Sequence, residues 1–155
     1  MFGSLFDEVL DIVESWTPSK EYPREEGYRD DLANYLRKEL KKGGPFGPAP
    51  RRHKVKREHG RSLADIAIDE RIGVELKKDL KSRPAIDRLS GQVRRFKKNY
   101  SDIIVVLCGN ITEEAYDEVM ELETTASPFE QQGNVAIVRK DKKKKRPTGG
   151  FGFGF

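Results

Sequence analysis

The segment that most constrains the fold is residues 103–109, Ile-Ile-Val-Val-Leu-Cys-Gly, which is continuously apolar and rich in β-branched residues. Such a run is typical of a strand covered on both faces. Helical patterns lie before it, over residues 84–100, and after it, over residues 112–123, and a second short strand is predicted over residues 134–139. Strands that alternate with helices predict an α/β fold, with a mixed sheet flanked by helices on both faces.

The first third of the chain adds two helices and a polar strand. Ser4 is placed to cap a helix over residues 2–16, and apolar residues at every fourth position predict a helix over residues 25–42. The Gly/Pro-rich residues 43–50 are predicted to be a loop or lid, and residues 51–59 an edge strand. Asn110 and Glu113 have the spacing of a capping box for the helix over residues 112–123. We expect one domain over residues 1–140, with residues 1–20 packing on it as an N-terminal helix, and a flexible basic Gly/Phe-rich tail over residues 141–155.

Composition argues against several classes of protein. Charged residues make up 36% of the 155 residues, and the apolar run over residues 103–108 is too short to span a bilayer. One cysteine and two histidines argue against a disulfide framework and a zinc site. The first ten residues lack a basic leader, so we expect an intracellular, cytoplasmic protein, nucleoid-associated if it binds DNA.

Residues 62–80 predict a β-hairpin that carries charged side chains. In the first strand, residues 64, 66 and 68 are expected to face one way and residues 65 and 67 the other, and Val74 and Leu76 alternate with polar neighbours in the second. With residues 69–71 as the loop, Ile68 pairs with Ile72, and counting back places Asp65 opposite Glu75.

Two carboxylates at this distance repel each other. Cross-strand neighbours lie about 5 Å apart, and like charges there are destabilising. A divalent cation such as Mg²⁺, which prefers carboxylate oxygens, would offset the repulsion between Asp65 and Glu75. Lys77 follows on the same face as Glu75, where an ammonium can polarise water or a phosphate oxygen.

Asp65 followed by Glu75-Leu76-Lys77 resembles the D…E-x-K motif of the PD-(D/E)XK nuclease superfamily, which includes many restriction enzymes and archaeal Holliday-junction resolvases. The resemblance covers residues 21–140, with Ala64 where the proline of the motif would stand. It implies a restriction-endonuclease-like fold, with Asp65, Glu75 and the main-chain carbonyl of Leu76 as metal ligands. It also implies that Lys77 orients or activates the attacking water, and that the cofactor is Mg²⁺ with Mn²⁺ as a substitute.

Two further side chains fit helical positions of the superfamily, and each has an ordinary alternative. A glutamate before the hairpin helps to hold metal or water in such families; Glu25 fits best, with Glu26 as the fallback, although both also suit the acidic first turn of a helix. Gln92 lies at the edge of an apolar stripe, where the resemblance implies a glutamine beside the metal site, and a partly buried glutamine bonded to the backbone is the alternative.

Basic residues are clustered, although the net charge is only +4. Residues 41–61 hold eight Lys or Arg with one acid, and residues 139–146 hold seven with one acid. Clustered basic charge suits a phosphate backbone, and a solvated surface is the alternative for each cluster. The tail is either a DNA anchor whose phenylalanines stack on bases or on a protein partner, or an inert segment. The predicted DNA-binding residues are Arg51, Arg52, Lys54, Lys56, Arg57, His59, Arg61, Lys78, Lys81, Lys142, Lys143, Lys144 and Lys145.

These features predict a Mg²⁺-dependent DNA endonuclease. The small chain has no recognisable extra domain for reading base sequence, which favours recognition of DNA structure such as branches or ends, and the resemblance implies a homodimer. A catalytically inactive nucleic-acid-binding module on the same fold is the alternative. A third interpretation treats the hairpin carboxylates as surface charges of an interaction protein that binds no metal.

Overall fold

A computed structural model describes residues 4–42, 53–58, 60, 63–124 and 133–141. The helices within these ranges are α1 (Leu5–Ser15), α2 (Glu25–Lys42), α3 (Arg83–Phe96) and α4 (Glu113–Met120). The strands are β1 (Val55–Arg57), β2 (Ile66–Ile68), β3 (Ile72–Lys78), β4 (Asp102–Gly109) and β5 (Val135–Asp141). The predicted α/β class and the predicted order of helices and strands are confirmed.

The strands form one mixed sheet in the order β1-β2-β3-β4-β5. β1, β2 and β3 are antiparallel neighbours, whereas β3, β4 and β5 are parallel and are joined through α3 and α4. β4 is buried from Ile103 to Cys108, as its continuous apolar sequence predicts. Each face of the sheet has its own apolar core, because α1 and α2 cover one face and α3 and α4 cover the other.

The connection between α1 and α2 closes on the carboxylate of Asp31. It accepts hydrogen bonds from Trp16 Nε1 at 3.1 Å, Ser19 N at 2.8 Å, Ser19 Oγ at 2.5 Å and Tyr22 Oη at 2.8 Å. One carboxylate therefore ties the end of α1 and the following turn to the second turn of α2. These bonds anchor the connection to α2, the helix that begins at Glu25.

Capping explains where two of the helices start. Ser4 caps α1 and forms a reciprocal capping box with Asp7, so the predicted cap is confirmed. The predicted capping box of Asn110 and Glu113 is wrong, because the N-cap of α4 is Thr112, whose side chain accepts from Ala115 N. Asn110 instead donates its main-chain N–H to Asp79 Oδ1 at 2.8 Å.

Two details of the first strands differ from prediction. β1 extends only from Val55 to Arg57 among the described residues, because its sequence is almost wholly polar. The expectation that Ala64 shares a face with Ile66 and Ile68 is wrong: Ala64 lies in the core on the α3 side, and both isoleucines face α2. β2 begins only at Ile66, so strand alternation does not extend back to Ala64.

Some predictions lie outside the described residues. These are the loop over residues 43–50 and the tail after Asp141, which itself ends β5. Of the helices in the described part of the chain, none has both the length and the apolar character that crossing a membrane would require.

Candidate active site

The tip of the β2–β3 hairpin sets the register of the candidate site. Ile68 pairs with Ile72, as predicted, and Ile66 pairs with Val74. The turn places Asp69 (φ 53°) and Glu70 (φ 59°) in the left-handed region, as a type I′ turn requires. Asp tolerates this conformation better than most residues, and its carboxylate accepts from Lys54 N at 2.7 Å and contacts His53 Nδ1 at 2.7 Å.

This register brings Asp65 and Glu75 together, as predicted. Asp65 donates its main-chain N–H to Glu75 Oε1 at 3.1 Å, and Leu76 donates its N–H to Asp65 Oδ2 at 2.9 Å. Each carboxylate thus accepts a main-chain N–H from the other strand. The Asp65 carbonyl also accepts from Glu58 N at 2.9 Å, which ties the segment before β2 to the chain after β1.

Burial makes the two negative charges costly. The Glu75 side chain is only 6% exposed, and Asp65 is half-buried. Burial, and then the negative charge of Asp65, raise the pKa of Glu75 to about 7. Burial also raises the pKa of Asp65. The nearest compensating cation is Lys77, whose Nζ lies 3.2 Å from Glu75 Oε2.

The two glutamates at the start of α2 differ in their surroundings. Glu25 is half-buried and accepts the main-chain N–H of Lys78 on Oε2 at 2.8 Å. Burial raises the pKa of its carboxyl, which also feels the charges of Lys77 and Asp65. Glu26 is exposed, as the 100° helical turn between neighbours implies. Glu25 therefore joins the edge of the site next to the end of β3.

Two residues near Asp65 were not predicted as part of the site. Arg29 follows Glu25 by four residues on α2, its side chain is 14% exposed, and its positive charge partly opposes the rise in the pKa of Asp65 that burial causes. That spacing on one helix face is the signal that could have identified it. For Tyr100 the sequence holds no comparable signal, since its spacing from other apolar residues predicts only a core position. Its hydroxyl nevertheless accepts a hydrogen bond from the main-chain N–H of Ala64 at 3.1 Å.

Leu76 contacts one of the two carboxylates, whereas Gln92 makes no described hydrogen bond to either. The main-chain N–H of Leu76 contacts Asp65, whereas a role of its carbonyl as a metal ligand stays a prediction. The Oε1 atom of Gln92 is buried and has no hydrogen-bond partner among the described residues. The described hydrogen bonds join Gln92 neither to the two carboxylates nor to Lys77, so its predicted role also stays a prediction.

The predicted DNA-binding residues are only partly described. Lys54 and Lys81 are exposed, and three others contact acids. These ion pairs are Lys56 Nζ to Glu70 Oε1 at 3.6 Å, Arg57 Nη1 to Asp30 Oδ1 at 3.0 Å, and Lys78 Nζ to Asp79 Oδ2 at 2.5 Å. The predictions for Arg51, Arg52, His59, Arg61, Lys142, Lys143, Lys144 and Lys145 lie outside the described residues.

The described residues contain no group of three or more His, Cys, Asp or Glu side chains arranged to hold a metal ion. Asp65 and Glu75 are thus a pair of acids rather than a larger acidic cluster. No protein-family model, no curated protein and no solved structure matches the chain.

Proposed function

We propose that this protein is a Mg²⁺-dependent deoxyribonuclease that hydrolyses phosphodiester bonds in an active site formed by Asp65, Glu75 and Lys77. One observation carries the proposal: two acids with raised pKa values are held against each other across a hairpin, with a lysine ammonium 3.2 Å from one of them. Charges buried without full compensation destabilise a fold, so a functional role is the better explanation of their placement.

The donor set fits a hard divalent cation. Mg²⁺ is usually bound through one or two carboxylates, with other ligands from water and substrate phosphate, so Asp65 and Glu75 suffice without a third acid. Main-chain N–H groups hold one oxygen of each carboxylate in place. In a strand, the N–H and C=O of one residue point to the same edge. The Leu76 carbonyl is therefore directed to the edge of β3 where Asp65 lies, and we include it among the ligands.

The protein groups and the cation would divide the work of hydrolysis. A bound Mg²⁺ would neutralise phosphate charge and make water a better nucleophile. Lys77 Nζ would donate a hydrogen bond to the attacking water or to a phosphate oxygen, and would hold the charge that develops there. Glu25 would hold water at the edge of the site, while its Oε2 stays bonded to the Lys78 N–H.

The fold and the charges support a nucleic-acid substrate. An antiparallel hairpin followed by a helix and a parallel strand is compatible with the restriction-endonuclease-like fold, which we propose as the finer assignment. Exposed Lys54 and Lys81, with the predicted basic residues between positions 51 and 61 and between positions 142 and 145, would contact the DNA backbone. We propose DNA branches or ends as the preferred substrates, and a homodimer as the acting form, because two strands require two cuts.

A gel assay tests the proposal. Supercoiled, linear, single-stranded and four-way-junction DNA are incubated with the protein in Mg²⁺, in Mn²⁺ or in chelator. We expect cleavage that requires the cation and is lost in Asp65→Asn, while Asp11→Asn, which changes an exposed carboxylate of α1, cleaves normally. Cleavage by Asp65→Asn at the normal rate would refute the nuclease assignment. Salt-sensitive DNA binding without cleavage would instead identify an inactive binding module.

A further inference from the structure

Tyr100 lies between α3 and β4, and its hydroxyl reaches the start of the hairpin. The hydroxyl accepts the main-chain N–H of Ala64 at 3.1 Å. Ala64 is fully buried and directly precedes Asp65, whereas the pairing of β2 with β3 begins only at Ile66. The Tyr100 hydroxyl therefore accepts the Ala64 N–H in place of a main-chain carbonyl of a neighbouring strand, and Ala64 is the residue next to the candidate metal ligand Asp65.

The ring of Tyr100 has little freedom to move. Gly73 in β3 leaves the space that the ring fills, because a Cβ at that position would lie 2.7 Å from Tyr100 Cδ2. The ring of Phe96 meets it edge-on, with centroids 6.2 Å apart and an interplanar angle of 75°. The chain on either side is also held, since Tyr100 N donates to Phe96 O at 2.8 Å and Ser101 N donates to Arg71 O at 2.8 Å. The position of the hydroxyl is therefore fixed by the packing of the ring and by these main-chain bonds.

Three hydrogen bonds hold the main chain of Ala64 and Asp65 at the entrance to β2, and a fourth, from Leu76 N, holds the Asp65 carboxylate. Ala64 N donates to Tyr100, Asp65 N donates to Glu75 Oε1, and Asp65 O accepts from Glu58 N. Loss of the Tyr100 hydroxyl would leave the Ala64 N–H buried without a partner, which is unfavourable enough to shift a short unpaired segment. Because Asp65 is the next residue, its carboxylate would shift as well.

We infer that Tyr100 is a positioning residue that fixes the Asp65 carboxylate for cation binding. The inference rests on the proposed function, because Asp65 is a cation ligand only in that proposal. Tyr100 acts through Ala64 and touches neither substrate nor cation. Removal of a group that hydrogen-bonds a metal ligand directly typically alters affinity or activity by about tenfold to a hundredfold, and for Tyr100, which bonds the residue before the ligand, we expect the lower end of that range.

The test compares Tyr100→Phe with Tyr35→Phe. The first change keeps the ring against Gly73 and removes only the hydroxyl. The second removes a hydroxyl that lies 2.9 Å from Ser15 Oγ, between α1 and α2. For each folded variant, the amide NMR resonances of Asp65 and Leu76 are recorded without metal, and Mn²⁺ half-saturation is measured by calorimetry. We expect displaced resonances and about tenfold weaker Mn²⁺ binding in Tyr100→Phe only.

A second variant approaches the same contact from the other side. Gly73→Ala would push the ring away while keeping its hydroxyl, and we expect the same displaced amides and weaker Mn²⁺ binding. Normal resonances and normal half-saturation in Tyr100→Phe would overturn the inference, even if the variant is less stable, and would leave the nuclease proposal intact. Failure of the wild type to bind Mn²⁺ would refute the assignment of Asp65 as a ligand, and the inference with it.

Discussion

Replacing Glu75 with glutamine should stabilise the metal-free protein while abolishing DNA cleavage. Glutamine is nearly isosteric with protonated glutamate, and its oxygen can still accept the Asp65 N–H that Glu75 accepts. The substitution removes the charge that burial and Asp65 oppose. If Glu75 served only to stabilise the fold, its replacement would instead lower the free energy of unfolding.

The size of the effect follows from the pKa of Glu75. The pKa rises from its ordinary value of 4.5 to about 7 in the folded protein. The folded state therefore binds more protons than the unfolded state between these values, and stability contributed by the protonated carboxyl is lost as the pH rises through that window. At about 1.4 kcal/mol per tenfold change in the protonation equilibrium, Glu75→Gln should gain roughly 3 kcal/mol at pH 8 and less than about 1 kcal/mol at pH 5.

Urea denaturation in chelator at pH 5 and pH 8 measures this difference. Glu121→Gln changes an exposed glutamate at the end of α4 and should alter the free energy of unfolding by less than about 0.5 kcal/mol at either pH. A Glu75→Gln protein that is less stable than the wild type at pH 8 would refute the reasoning. So would a gain in stability that is the same at both pH values.

Three further predictions, made with four substitutions, test the fold. Burial alone would raise the pKa of the Asp31 carboxyl, but the hydrogen bonds that it accepts outweigh burial and hold the pKa below its ordinary value of 3.8. Asp31→Asn should therefore cost about 1 to 3 kcal/mol at pH 7, and its difference in stability from the wild type should shrink as the pH falls below 4. A loss of stability that does not depend on pH would contradict this. Thr112→Ala should cost about 1 kcal/mol and Asn110→Ala much less, by thermal unfolding, because only Thr112 caps α4; equal losses would contradict the assignment. Leu89→Ala should cost about 2 to 5 kcal/mol in urea, since Leu89 is on the fully buried face of α3, and a smaller loss would mean that α3 packs loosely.

Local patterns predicted the elements and the hairpin register well. Residues 25–42 form α2 as predicted, because apolar residues at every fourth position and cations at its end all favour the same helix. The apolar run in β4 required cover on both faces, and the two cores provide it. The pairing of Ile68 with Ile72 followed from loop length alone, and it brings Asp65 and Glu75 together.

Contacts between distant parts of the chain could not be read from local patterns. Ala64 lies in the core on the α3 side and its N–H binds the Tyr100 hydroxyl, and no periodicity encodes that bond. Both Asn110 and Thr112 are good capping residues, and the choice between them depends on Asp79, which binds the Asn110 N–H. Helical spacing places Arg29 on the same face of α2 as Glu25, but its proximity to Asp65 depends on how α2 lies against the sheet.

Calorimetric titration of Mn²⁺ into the metal-free protein at pH 8 most directly tests whether a cation joins the two carboxylates. We expect one ion per chain in the wild type and no binding in Asp65→Asn, with the fold of both checked by circular dichroism. No binding by the wild type, or equal binding by Asp65→Asn, would contradict the assignment of Asp65 and Glu75 as a cation site.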